Sequence, residues 1–199
     1  MIKAIIFDWG GVLIESPFQG IISFCANYLK VDEKKLIRIS QKYKQDFQSD
    51  KISEKEFWNR ICLNFGIQKP PTHSLWKDAF TASYVEKKDV FNIVTKLKKN
   101  GYKVGVLSNT EKPAVNFFYE QNYNFFDSIV FSCNVGVRKP YSQIYKIMLK
   151  KLNVQPQEAV VIDDKKENIV GAKNVGMHAI LFINSNELLK KLAFLKIIL

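Results

Sequence analysis

Lys3-Ala4-Ile5-Ile6-Phe7-Asp8-Trp9-Gly10-Gly11-Val12 sets a short run of strand-forming side chains against a carboxylate and two glycines. The run reads as a buried β-strand, and the glycines as a tight turn at its carboxyl end. Ligands of open α/β sheets sit beyond the carboxyl ends of the strands, where a side chain leaves the core. A carboxylate placed there can attack an electrophile or bind metal. Taken alone, an Asp before two glycines is more ordinarily turn chemistry.

Three later segments repeat the grammar of strand, polar residue, helix. Lys103–Leu107 runs into Ser108-Asn109-Thr110, and Glu111-Lys112-Pro113 opens a helix with an acidic first turn and an early proline. A hydroxyl at a helix entrance suits a phosphoryl oxygen, because unpaired N–H groups and the helix dipole attract anions there. The plainer reading makes Ser108 or Asn109 an N-cap. Next, Ser128–Phe131 precedes Gly136-Val137-Arg138-Lys139-Pro140 and a helix from about Ser142. The proline pushes Lys139 out of helical geometry into an extended loop that can project its ammonium from the sheet tip. A solvated lysine is the default for so common a residue.

The fourth segment, Ala159–Ile162 followed by Asp163-Asp164-Lys165-Lys166-Glu167-Asn168, is harder to assign to structure alone. Side chains alternate faces within a strand, so adjacent aspartates converge only if the strand has just ended. Two close carboxylates raise each other's pKa unless a cation neutralises them. Oxygen-only donors favour a hard ion such as Mg²⁺ with several waters retained. The alternative is a capping pair for a helix beginning near Lys165.

The four motifs in this order, FDWGGVL at 7–13, VGVLSNT at 104–110, GVRKP at 136–140 and VVIDDKKENIVGAKNVGM at 160–177, resemble the haloacid dehalogenase-like hydrolase superfamily. The resemblance runs from Lys3 to about Ile183 and is nearest to small phosphatase-like members with a helical cap between the first two motifs. It implies an α/β fold, a Rossmann-like parallel five-stranded sheet with helices on both faces plus an inserted α-helical cap. It also implies that the first strand is central, so that Asp8 lies beside Asp163 and Asp164 at the switch point.

The implied chemistry is phosphoryl transfer to a nucleophilic Asp8, with Ser108, Asn109 and Lys139 holding the phosphoryl group. Mg²⁺ is expected on Asp8, the Gly10 carbonyl and Asp164, with Asp163 ligating directly or through water. Asn168 is expected to orient the acidic loop, and Trp9 to wall the pocket or to be buried under the cap. The family's phosphatases usually carry a second Asp two residues after the nucleophile as general acid and base, where this chain has Gly10. That departure keeps other members in view. Those cleaving carbon–halogen bonds lack the second Asp but use no Mg²⁺, against the Asp163-Asp164 pair. Those cleaving carbon–phosphorus bonds read Asp-Trp-Ala-Gly and employ a cap lysine as a Schiff base. A non-catalytic interaction protein on the same fold is the rival from another class.

The expected division is a core of residues 1–15 and 86–199 with a cap over 16–85. Strands are expected near 3–7, 103–107, 128–131, 159–162 and 179–183. The cap reads as helical from the spacing of Ile21, Ile22, Phe24, Cys25, Tyr28 and Leu29, of Leu36, Ile37, Ile39, Tyr43 and Phe47, and of Phe57, Trp58, Ile61, Cys62 and Phe65, in an insertion long enough for four helices. Ser53-Glu54-Lys55-Glu56 resembles a capping box. Lys69-Pro70-Pro71-Thr72 is the clear breaker, and the apolar stretch from Asn186 reads as an amphipathic helix on the sheet.

At 199 residues the chain is expected to bury roughly 70% of its unfolded surface. Cys25, Cys62 and Cys133 show no paired spacing and read as buried apolar residues in a reducing compartment. His73 and His178 fit no metal or triad pattern. No signal peptide and no apolar run of about 20 residues is seen, so the expected location is cytoplasmic, with no membrane contact. The formal charge of +11 comes from lysines spread along helical faces, with arginine confined to Arg38, Arg60 and Arg138. No nucleic-acid partner is therefore expected; the charge favours a small phosphorylated substrate. Specificity is left to cap side chains whose aim depends on packing.

Overall fold

A computed structural model describes residues 1–68 and 73–198. Five parallel strands form one sheet: β1 (Ala4–Phe7), β2 (Lys103–Ser108), β3 (Ser128–Phe131), β4 (Ala159–Asp163) and β5 (His178–Leu181), in the order β3-β2-β1-β4-β5. The strand order reverses at β1, between β2 and β4, as a central first strand requires.

Alternation of side chains gives the sheet two apolar faces. Ile5 and Phe7 point into one cluster with α5 (Lys88–Lys99), α6 (Lys112–Glu120) and α10 (Ser185–Phe194). Ala4 and Ile6 point to the other, against α8 (Ser142–Leu152) and α9 (Lys166–Asn174). In α10 the buried residues are Leu188 and Leu192, the face expected of an amphipathic helix. A four-residue α7 (Ser132–Val135) directly after β3 and a 3-10 turn at Pro156–Glu158 have no clear signal in the sequence.

Four helices stand between β1 and α5: α1 (Phe18–Leu29), α2 (Glu33–Gln48), α3 (Glu54–Phe65) and α4 (Leu75–Ala82). Their starts follow from local chemistry, since Asp32, Ser53 and Ser74 each accept a hydrogen bond from a backbone N–H of the first turn. At α3 the Ser53 half of the expected box forms, while Glu56 turns its carboxylate to Arg60 at 2.7 Å. The Lys69–Thr72 breaker lies outside the described residues.

The inserted helices are continuous with the sheet's own core through aromatic contacts. Trp9 meets Phe80 of α4 at 4.9 Å and Phe118 of α6 at 5.0 Å, centroid to centroid. Phe47, Phe57, Trp58 and Trp76 stack on one another within the helical layer, as core residues do. The three cysteines are buried and form no disulfide among the described residues. No helix among the described residues is long and apolar enough to cross a membrane.

Candidate active site

Parallel register brings the motif residues together. Phe7 pairs with Val106 of β2 and Ile162 of β4, so Asp8 leaves the sheet at the level where β2 ends in Ser108 and β4 ends in Asp163. Asp8, Asp163 and Asp164 each offer a carboxylate oxygen, and the three atoms lie within 4.8 Å of one another. Three carboxylates this close, two of them buried, need positive charge.

Lys139 supplies part of it from the loop after α7. Its side chain is 1% exposed, and its Nζ lies 2.5 Å from Asp163 Oδ2 and 3.0 Å from Asp8 Oδ1. The loop is held by a reciprocal bracket. Asn109 Nδ2 donates to the Lys139 carbonyl at 2.9 Å, and the Lys139 N–H donates to Asn109 Oδ1 at 2.8 Å. An isolated lysine could not stay ionised here, because burial works against its charge. The fields of Asp163 and Asp8 outweigh that penalty and hold its pKa above the usual value.

The acids divide this compensation unequally. Burial pushes Asp163 up, but Lys139, the Lys165 N–H and Asn168 outweigh it and hold the carboxyl below its ordinary range. Its oxygens are crowded with donors: Asn168 Nδ2 reaches both, at 2.9 and 3.0 Å, and the Lys165 N–H reaches Oδ1 at 2.9 Å. Asp8 is farther from the ammonium, and burial lifts it to about 6 against the pull of Lys139, with repulsion from Asp163 adding to the rise. The Trp9 N–H at 2.7 Å and Lys139 both fall on Asp8 Oδ1, so neither of them engages Oδ2.

Asp164 is the under-compensated member. Burial and Asp163 raise its pKa against Lys165, and its buried Oδ1 has no hydrogen-bond partner among the described residues. Its carboxylate lies over the Gly11 backbone, where a Cβ would meet Oδ2 at 2.4 Å; Gly11 also has φ +92°. An orphaned, all-oxygen donor set beside a glycine cradle fits a hard divalent cation.

A cavity of about 80 Å³ opens over Asp8. Trp9 and Gly10 form its floor beside Asp8, and Ser108, Asn109 and Thr110 form one side. Trp9 is both wall and core, being 1% exposed and packed among Phe80, Phe118 and Phe131. The roof comes from α1, α2 and α4, with Phe18, Lys44, Gln48, Trp76 and Phe80.

The roof side chains and Glu111 escaped the sequence reading as site residues. The N-cap position of α6 is Glu111 rather than Ser108 or Asn109, and the expected acidic first turn is absent because the helix starts one residue later, at Lys112; the Glu111 side chain makes no capping hydrogen bond but is buried against the cavity and accepts from Gln48 Nε2 at 2.9 Å. Burial raises its pKa against that hydrogen bond and the field of Lys44. Lys44 is pushed down by burial, with Glu111 opposing and Lys165 and Arg138 adding repulsion. Ser132 clamps the roof to the core: its hydroxyl donates to the Gln48 carbonyl at 2.6 Å and accepts from the Thr110 N–H at 3.0 Å. Nothing in a lone serine after β3 signals this.

Comparison with known proteins gives the same grouping. A model of the haloacid dehalogenase-like hydrolases matches residues 2–176. A sesquiterpene phosphatase of Aspergillus oryzae is 27% identical, over 88% of this chain and 87% of its own length. A glyceraldehyde 3-phosphate phosphatase of Methanothermobacter thermautotrophicus is 29% identical, over 93% and 87%. Matches to several other curated relatives cover between 18% and 39% of those proteins. Among solved structures, a Bacteroides thetaiotaomicron enzyme in complex with magnesium and inorganic phosphate shares the fold with a TM-score of 0.73 at 22% identity, covering 90% of this chain and 93% of that one. The family match spans most of the chain, and the motif residues converge on one sheet edge: this chain belongs to the haloacid dehalogenase-like hydrolases.

Proposed function

We propose that this chain is a Mg²⁺-dependent phosphatase that hydrolyses a small phosphorylated metabolite through an aspartyl phosphate on Asp8. The observation that carries the proposal is the buried cluster of Asp8, Asp163 and Asp164 with Lys139 lodged between two of its members. The phosphatase names of two relatives aligned over most of both chains support it.

Asp8 Oδ2 attacks phosphorus as the bond to the leaving oxygen breaks. Water then attacks the aspartyl phosphate and releases inorganic phosphate, restoring the carboxylate. Ser108 and the Asn109 N–H hold phosphoryl oxygens, and Lys139 offsets their charge. Asp8, the Gly10 carbonyl and Asp164 would hold the cation directly, and Asp163 would act through water because its oxygens already accept three donors. Bound Mg²⁺ would neutralise the repulsion between the carboxylate and the phosphoryl dianion. Residues 16–85 act as a cap on the core of 1–15 and 86–199, shielding the transfer from water. Position 10 has no carboxyl, so the departing oxygen takes its proton from water in the cleft.

Carbon–phosphorus cleavage is the second reading, favoured by one observation: Lys44, a cap lysine with a lowered pKa, lines the same cavity as Asp8. Borohydride trapping with phosphonoacetaldehyde separates the two, since only an imine on Lys44 would be reduced. The main test is hydrolysis of an aryl phosphate, expected to require Mg²⁺ and to vanish in Asp8→Asn. Activity that survives both EDTA and the substitution refutes the mechanism.

A further inference from the structure

The far wall of the cavity has no part in the chemistry at Asp8, yet it is expensively built. Lys44 holds its Nζ 4.4 Å above the Phe18 ring, and no carboxylate of the described residues is within ion-pair distance of it. Glu111 is 5% exposed, and Gln48 occupies its Oε1, leaving acceptor capacity on the carboxyl. A buried carboxyl held by Gln48 with the Trp76 indole beside it and a half-buried ammonium thus face one cavity without an ion pair between them, and each keeps capacity for a ligand group.

From this geometry we infer that Lys44, Gln48 and Glu111 form a subsite for an uncharged, hydroxylated, short-chain leaving group. The inference rests on the phosphatase reading and deepens it. Lys44 and Glu111 carry opposite charges, so an ionised tail of either sign meets one like charge in the subsite. A carboxylate would face Glu111, and an ammonium would face Lys44. A hydroxyl satisfies both, donating to the carboxyl or the Gln48 amide oxygen and accepting from the ammonium. The cavity is about 80 Å³ and must take the phosphoryl group as well, so the leaving group is short. Phe18 and Phe80 line it and suit the C–H edges of such a chain.

The test compares glycerol 3-phosphate, n-propyl phosphate and 3-phosphoglycerate as substrates of the full chain with Mg²⁺. The first two differ in the hydroxyls, and the third adds a carboxylate. Hydroxyl groups also activate the leaving oxygen, which enters kcat, so KM is the deciding quantity when chemistry is slow. Glycerol 3-phosphate should show a KM at least about 10-fold below that of n-propyl phosphate, since a site built for hydroxyls rejects the analogue lacking them. Lys44→Met and Glu111→Gln should each bring that KM ratio toward one, and Glu111→Gln should improve binding of 3-phosphoglycerate. Thermal melts check that the variants fold; if they do not, the wild-type ratio decides alone. A wild-type KM ratio near one, or preference for 3-phosphoglycerate or for a long apolar phosphate such as farnesyl phosphate, overturns the subsite and leaves the phosphatase reading intact. Failure to hydrolyse any of these esters or an aryl phosphate removes both.

Discussion

Replacing Lys139 by Met keeps the buried aliphatic stem and deletes the ammonium, so it isolates the electrostatic role of the residue. Lys139 and Asp163 have side chains 1% and 0% exposed and stand 2.5 Å apart, with Asp8 3.0 Å away on the other side. Solvent screens none of this, and removing one partner of a buried pair typically costs about 3–5 kcal/mol because the other charge is left alone. For a chain of this size about 1 kcal/mol moves the melting temperature by about 2–4 °C, so the variant should melt about 6–20 °C lower at neutral pH in EDTA. The sign with pH follows from the two partners. Asp163 is lowered below 3.8, so its contribution is present above that value and fades as pH falls through its folded pKa. Lys139 is raised above 10.5, so its contribution holds across the whole acid and neutral range. The gap between wild type and variant should therefore be widest at neutral pH and narrow as the carboxylates of the variant protonate in mild acid. Mg²⁺ should recover more stability in the variant than in wild type, because a cation then replaces the missing charge. Thermal unfolding followed by circular dichroism, at neutral pH and near pH 4, with and without Mg²⁺, measures all three effects. A melting shift below about 2 °C, or a gap independent of pH, would refute the reasoning.

Asp164→Ala should abolish Mg²⁺ affinity in titration calorimetry together with activity; unchanged affinity would return the aspartate pair to a capping role. Gly11→Ala sets a Cβ 2.4 Å from Asp164 Oδ2 at φ +92°, so it should cost about 1–3 kcal/mol of stability and weaken Mg²⁺ binding; calorimetry giving wild-type affinity would show that Asp164 is not the ligand. Without a carboxyl at position 10, log kcat/KM should fall steeply with leaving-group pKa, since general acid help is worth about 10²–10⁴ in rate. Gly10→Asp should flatten that slope if Pro17, whose Cδ would lie 3.3 Å from the new Cβ, gives way by a few tenths of an ångström. A wild-type slope already as shallow as the variant's would mean that another residue supplies the proton.

What the sequence disclosed and what it hid divide along a physical line. Asp8, Ser108 and Asp163 follow apolar runs, and a parallel strand can end in only one direction, so the backbone itself brings them to the same edge. Sequence suffices because no side-chain packing needs to be known. Lys139 is legible for a related reason, since Pro140 constrains its main chain, although its burial between two aspartates is not.

Lys44, Gln48 and Glu111 are of the other kind. Each has the composition of a solvated helix face or a helix cap, and α2 carries Lys34, Lys35, Lys42 and Lys44 with nothing in their spacing to single out the last. What singles it out is the rotation of α2 about its axis. That rotation is fixed by Leu36, Ile39 and Phe47 packing inward and by Ser132 binding the Gln48 carbonyl from α7, distant in sequence. A polar residue aimed by tertiary contacts has no local signature, whereas one aimed by the end of a strand does. In the proposed mechanism the reacting atoms are of the strand-end kind and the selectivity is of the tertiary kind. A change in cap packing, such as Ser132→Ala releasing the end of α2, should therefore shift KM ratios among substrates more than it shifts the dependence on Mg²⁺. Equal loss of Mg²⁺ affinity and selectivity in that variant would show that cap and metal site are not separable.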